Sequence, residues 1–179
     1  MKTKDIVYIA LFAAITASLS LFPPITMPIA GVPITAQSIA PMLAGSIIGS
    51  KRGFLSLLLF LIFIAIGLPV LSGGRGGLNI FFGANAGFIL CWPVSAYIIG
   101  FLFEKFWKKL NYFNSFLFIT FGGIIILYIA GILWISLIAK ISIYKSFIGC
   151  LVFIPGDIIK AIIATFVSML IKKSYPIIK

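Results

Sequence analysis

Apolar residues in this chain come in long, nearly unbroken runs separated by short polar or irregular stretches. Runs of this length predict membrane-spanning helices rather than the one-sided stripes of soluble helices. Five are placed at Ile6–Phe22, Ile34–Gly49, Phe54–Leu68, Ala84–Phe103 and Phe116–Ile138. A sixth contains Asp157 and ends at Lys172 and Lys173, starting either near Phe147 or with Pro155 in its first turn. The expected architecture is therefore an all-α integral membrane protein, with one six-helix transmembrane domain over residues 1–179.

Two stretches break the pattern without being polar. Phe22–Pro33 holds Pro23, Pro24, Pro28 and Pro33, which forbid a regular helix. Leu68–Asn79 places Gly73, Gly74, Gly76 and Gly77 around Arg75. Irregular backbone at membrane depth is tolerated where it is covered by protein or lines a cavity. Both stretches read as covers over a ligand site. The glycine stretch matches neither a Walker loop nor a dinucleotide fingerprint.

Composition agrees with the pattern. The chain is 62% hydrophobic and only 9% charged, against about 25% charged in a soluble domain. The net charge of +11 would suggest nucleic acid in a soluble protein. Here the cations flank the apolar runs, so no nucleic-acid partner is expected. The first run lacks a convincing cleavage site and is followed by further spans, so a cleavable signal peptide is not expected. Six spans place both termini on one side. That side collects Lys2, Lys4, Lys51, Arg52, Lys105, Lys108, Lys109, Lys172, Lys173 and Lys179, against Arg75, Lys140 and Lys145 on the other. The positive-inside rule then predicts cytoplasmic termini and puts both irregular stretches outside.

Asp157 and Lys160 are the candidate chemistry. They are three residues apart, so on a helix they share a face. Charges inside an apolar span are costly and face a bundle interior or cavity. Parity places them in the outer half, where Gln37 and Asn79 complete a polar lining. Such a cavity suits a small molecule captured from outside.

Catalysis has little support. The other two acidic residues, Asp5 and Glu104, lie at the inner surface. No second carboxylate is expected beside Asp157, so neither paired acid/base chemistry nor a carboxylate-bridged metal site is predicted. The chain contains no histidine. Cys91 and Cys150 read as buried small hydrophobes. Two other classes stay open on the residues alone: an embedded enzyme using Asp157 and Lys160, and a proton-coupled carrier titrating Asp157. Ala10, Ala13, Ala14 and Ala17 form small-xxx-small pairs, a surface that lets another helix approach closely, within the bundle or from a partner.

With these residues in view, the chain resembles the BioY family, the biotin-specific substrate-binding components of energy-coupling-factor (ECF) transporters. The carriers are the alanine face of the first span, Val32-Pro33-Ile34-Thr35-Ala36-Gln37, Gly73-Gly74-Arg75-Gly76-Gly77-Leu78 and Pro155-Gly156-Asp157-Ile158-Ile159-Lys160-Ala161. The resemblance implies a six-helix substrate-binding component in the cell membrane that captures biotin as transported ligand at the outer face, without a cofactor. It also implies an ECF module of one transmembrane coupling protein and two cytoplasmic ATPases, docked on the alanine face. It places Asp157 and Lys160 in the biotin site. Biotin's own chemistry then suggests Asn79 as donor to the ureido carbonyl or part of the network around it, and leaves Arg75 either meeting the carboxylate or marking the outer surface. Where the family often has Gly-Pro-Thr-Gly-Gly-Tyr, this chain reads Gly83-Ala84-Asn85-Ala86-Gly87-Phe88. Asn85 can replace the threonine, but Phe88 cannot donate a hydrogen bond.

Overall fold

The protein is described from a computed structural model, covering residues 2–24 and 35–178. Helix α1 is Thr3–Leu21, α2 is Ala36–Ile48, α4 is Ala86–Lys105 and α5 is Tyr112–Ala139. Helix α3 is Ser50–Ala65. A short α6, Ile143–Cys150, leads through one 3-10 turn into α7, Ile154–Ser174. No strand occurs among the described residues, and one isolated antiparallel bridge joins Leu71 to Arg75. Four helical stretches are long and apolar enough to cross a bilayer: α1, α4, α5 and the Ile143–Ser174 stretch. Helices α2 and α3 are shorter. At 16 residues α3 is about 24 Å long.

The observed bounds differ from the expected ones for local reasons. The third helix starts at Ser50 rather than Phe54, because Glu104 caps it. Glu104 Oε1 accepts from the Ser50 N–H at 2.8 Å, and Oε2 from its hydroxyl at 2.7 Å. A carboxylate there also suits the positive end of the helix. Lys51 and Arg52 therefore lie in the first turn of α3. A single residue, Gly49, separates α2 from α3, with φ at 87°, a conformation open mainly to glycine. The fifth helix begins four residues early because the Asn111 side chain accepts from the Asn114 N–H at 2.8 Å. Pro155 does lie in the first turn of α7, where its missing N–H costs nothing.

Helix α4 is central, packing against α2, α3 and α5. Phe60 and Trp92 stack at 5.9 Å within this core. The chain ends gather at one end of the bundle. Asp5 pairs with Arg52 at 2.8 Å, and Arg52 also donates to the Ile177 carbonyl. Ser50 and Glu104 meet at the same end.

The alanines of α1 do not form one continuous surface. Ala13 is fully buried and Ala17 half-buried, while Ala10 and Ala14 are exposed. Helical phase explains the split: at 3.6 residues per turn, Ala10 and Ala14 lie on one edge of the stripe and Ala13 on the other. Ile6, Val7 and Leu11 extend the exposed edge.

Candidate functional site

The site lies at the end opposite the termini. It starts with Gln37, in the 3-10 turn that opens α2. Gln37 is almost fully buried. Its amide nitrogen donates to the carbonyls of Thr16 at 3.0 Å and Val70 at 2.8 Å. Its amide oxygen accepts from the Ser72 N–H at 2.8 Å and the Ser72 hydroxyl at 3.1 Å. Both donors and both lone pairs are thus used. Gln37 borders the cavity, but as a clamp joining α1, α2 and the glycine stretch. It thus stands in the expected lining with its own polar atoms already paired within the protein.

The clamp holds an ordered hairpin rather than a slack connection. Leu71 and Arg75 exchange backbone hydrogen bonds of 3.0 and 3.2 Å. Gly73 and Gly74 turn the chain with φ values of 82° and 67°. Side chains rarely adopt these, and two in succession require glycine. Arg75 Nε donates to the Ser72 carbonyl at 3.1 Å, and the exposed guanidinium borders the cavity mouth.

At the polar end, Lys160 Nζ donates to Asp157 Oδ1 at 2.9 Å and to Ser38 Oγ at 2.7 Å. Asp157 Oδ2 accepts from the Tyr128 hydroxyl at 2.8 Å. Asp157 is buried in the first turn of α7, where the helix dipole also favours its charge. The pair is locally neutral. The Ser38 hydroxyl also donates to Asp157 Oδ1 at 3.3 Å, so one ammonium proton of Lys160 and one lone pair of Asp157 are left over.

Two of these contacts were missed from the sequence. Tyr128 owes its position to a π-helical segment, Phe121–Ile126, in the middle of α5. Such a segment inserts one residue and shifts the register, and it is frequent at functional sites. Its Gly122 carbonyl accepts from Ser95 Oγ at 2.7 Å. The signal available was a lone phenol and a Gly122-Gly123 pair in a mostly apolar run. Ser38 adjoins Gln37 and was readable only as a polar residue in a short span.

Asn85, just before α4, borders the cavity, and its amide oxygen is buried with no hydrogen-bond partner among the described residues. An unsatisfied buried acceptor is costly unless something else pairs with it. Phe88 packs edge-on against Tyr128 at 5.9 Å and forms wall together with Trp92, Leu127 and Phe153. Asn79 is exposed in the turn Leu78–Phe82 and does not border the cavity. Of the proline-rich stretch Phe22–Pro33, residues 25–33 lie outside the described residues. Among the described residues no cluster of metal-ligating side chains occurs.

An apolar cavity with a neutralised ion pair at its base and, at its mouth, a cation with no ion-pair partner among the described residues, set in one end of a membrane bundle, defines a membrane-embedded solute-binding component. The fold agrees with a solved structure described as the S-component for biotin from an ECF-type ABC transporter. The match has a TM-score of 0.93 and 33% identity, covering 99% of this chain and 97% of that one. The biotin transporter BioY of Rhizobium etli is 43% identical over 99% of this chain and 98% of its own. The biotin transporter BioY of Rhodobacter capsulatus is 40% identical over 97% and 95%. The BioY family profile matches residues 1–177. The chain belongs to the BioY family, whose members are substrate-binding components of a membrane transporter and not enzymes.

Proposed function

We propose that this chain captures biotin in the cavity above Asp157 and hands it to an ECF module for ATP-driven uptake. The observation that carries this reading is the charge balance of the cavity. Asp157 and Lys160 cancel, and Arg75 has no carboxylate partner among the described residues. A ligand with a neutral, hydrogen-bonding head, an apolar body and one negative charge fits that distribution. Biotin has a ureido head, a thiophane ring with an aliphatic chain, and a carboxylate.

In this reading Asp157 accepts from a ureido N–H, and the spare proton of Lys160 reaches the same group. Asn85 takes the part first given to Asn79, because its amide borders the cavity. Arg75 meets the carboxylate at the mouth. The cavity is only about 90 Å³, well below the roughly 300–1,000 Å³ of occupied ligand sites. Binding therefore requires the walls to move outward, and the Leu71–Arg75 hairpin is the wall nearest the mouth.

The termini face the cytoplasm in this reading, because the cation-rich end of the bundle carries them. The coupling protein docks on the exposed edge of α1 at Ala10 and Ala14, and two ATPases act through it. Ala13 and Ala17 support that edge from within. The test is equilibrium binding of labelled biotin to the purified chain. Saturable binding without ATP or a proton gradient is expected, and its loss in Asp157→Asn ties it to this cavity. Uptake that requires only a proton gradient and no ATPase overturns the reading.

A further inference from the structure

We propose that the groove between α3 and α4, at the end carrying the chain termini, holds one anionic phospholipid with its headgroup on Lys51. The groove has a volume of about 410 Å³ and is lined by Lys51, Phe54, Leu55, Val94 and Tyr97. Its walls are almost wholly apolar, and Phe54 and Tyr97 pack edge to face in it at 6.4 Å. Val94 and Tyr97 are exposed on the outer surface of α4, continuous with Leu90 and Phe101. In a bilayer, the medium that fills such a surface groove is hydrocarbon.

The lining residues span about one helical turn on each helix, roughly 5–6 Å at 1.5 Å per residue. The groove therefore holds the part of an acyl chain nearest the headgroup at Lys51, and the exposed apolar surface of α4 at Leu90 lies beyond it.

Charge accounting selects the headgroup. The sequence has only three side-chain carboxylates. Asp5 is taken by Arg52 and by the Lys2 N–H at 2.8 Å. Glu104 accepts two hydrogen bonds from Ser50, keeps its charge in the polar cavity that Lys51 also borders, and makes no ion pair with Lys51 among the described residues. Asp157 is at the opposite end with Lys160. Lys51 thus has no side-chain carboxylate paired with it, although it is exposed where groove and polar surface meet. Lys2 and Lys4 line the adjoining polar cavity and add to the positive potential. A phosphodiester with net negative charge satisfies this end, whereas a zwitterionic headgroup brings its own cation. The groove is separate from the biotin cavity, and the inference does not rest on the ligand assigned there.

The test is native mass spectrometry of the purified protein, titrated with phosphatidylglycerol and with phosphatidylcholine of identical chains. One tightly held phosphatidylglycerol is expected, preferred over phosphatidylcholine. Lys51→Gln should cut that preference roughly fivefold, the scale of one basic residue at an anionic surface. Lys108→Gln, a cation at the same end but outside the groove, should leave it unchanged. Val94→Trp should fill the groove and weaken both lipids, while unfolding midpoints stay at the wild-type value for every variant compared. Lys51 is exposed, so Lys51→Gln decides the matter even if Val94→Trp fails to fold. Equal affinity for the two lipids, equal effects of Lys51→Gln and Lys108→Gln, or a groove occupied by a second copy of the chain overturns the proposal.

Discussion

The Tyr128 hydroxyl donates to Asp157 Oδ2 at 2.8 Å, while Lys160 holds Oδ1 at 2.9 Å. The two oxygens of one buried carboxylate are thus fixed by α5 and by α7's own next turn. Tyr128→Phe keeps the ring and its contact with Phe88 but removes the donor. A hydrogen bond to a charged group is worth roughly 1.5–3 kcal/mol. Biotin affinity of the isolated protein should fall about tenfold or more as the carboxylate loses its orientation. Unchanged affinity in equilibrium binding removes Tyr128 from the site.

Asp157→Asn keeps the shape and removes the charge. It leaves the Lys160 ammonium facing an amide, so both ligand contact and local neutrality are lost. Affinity should drop by about tenfold to a hundredfold. Size-exclusion behaviour must match wild type for the comparison to hold. A folded variant with wild-type affinity excludes Asp157 from biotin binding.

Gln37→Glu is nearly isosteric but loses the two N–H donors. It sets a carboxylate against the Thr16 and Val70 carbonyls, which then lie unpaired in the interior. Each buried group left unsatisfied costs roughly 1–3 kcal/mol. The unfolding midpoint should fall clearly, and the Leu71–Arg75 hairpin should become sensitive to protease. A stable variant with an intact hairpin contradicts the clamp role.

The two edges of the alanine stripe separate assembly from stability. Ala14 is exposed, so Ala14→Leu should leave biotin binding intact and reduce co-purification with the coupling protein. Ala13 is fully buried, so Ala13→Leu should overpack the contact with α3 and cost about 1–3 kcal/mol. If Ala14→Leu abolishes biotin binding instead, α1 does not dock its partner through that edge.

Hydrogen exchange of the glycine hairpin tests its movement. The Leu71, Ser72 and Arg75 amides already have partners and should exchange slowly without ligand. Those of Gly73 and Gly74 should gain protection when biotin is added. Equal exchange with and without biotin makes the hairpin a fixed wall.

The sequence made the spans, the shared side of the termini and the Asp157–Lys160 pair legible, because each depends on local composition or on helical spacing. Tyr128 was not legible, since a π-segment changes which residues face inward without changing hydrophobicity. Gln37 was legible as a polar residue of the lining, but its clamp bonds were not. Its partners Thr16, Val70 and Ser72 are distant in sequence, and no pattern along the chain couples them. Asn79 and Asn85 are equivalent as residue types, and only the turn at Leu78–Phe82 separates the exposed one from the one at the cavity. The alanine stripe was drawn too broad because spacing alone does not say which edge α3 covers.

The Glu104–Ser50 clasp has a mechanical consequence. With one residue between α2 and α3, and α4 bolted to the start of α3, three helices are pinned together at the end carrying the termini. Any tilt of these helices is then that of cantilevers fixed at the base. Helix α4 has 20 residues and is about 30 Å long, so a tilt of about 5° at the clasp displaces its far end by about 2.6 Å. A small rotation at the base is thus amplified at the cavity end and leaves the end carrying the termini nearly unmoved. Glu104, at the end opposite the cavity, is thus the residue that ties the base of α4 to the start of α3.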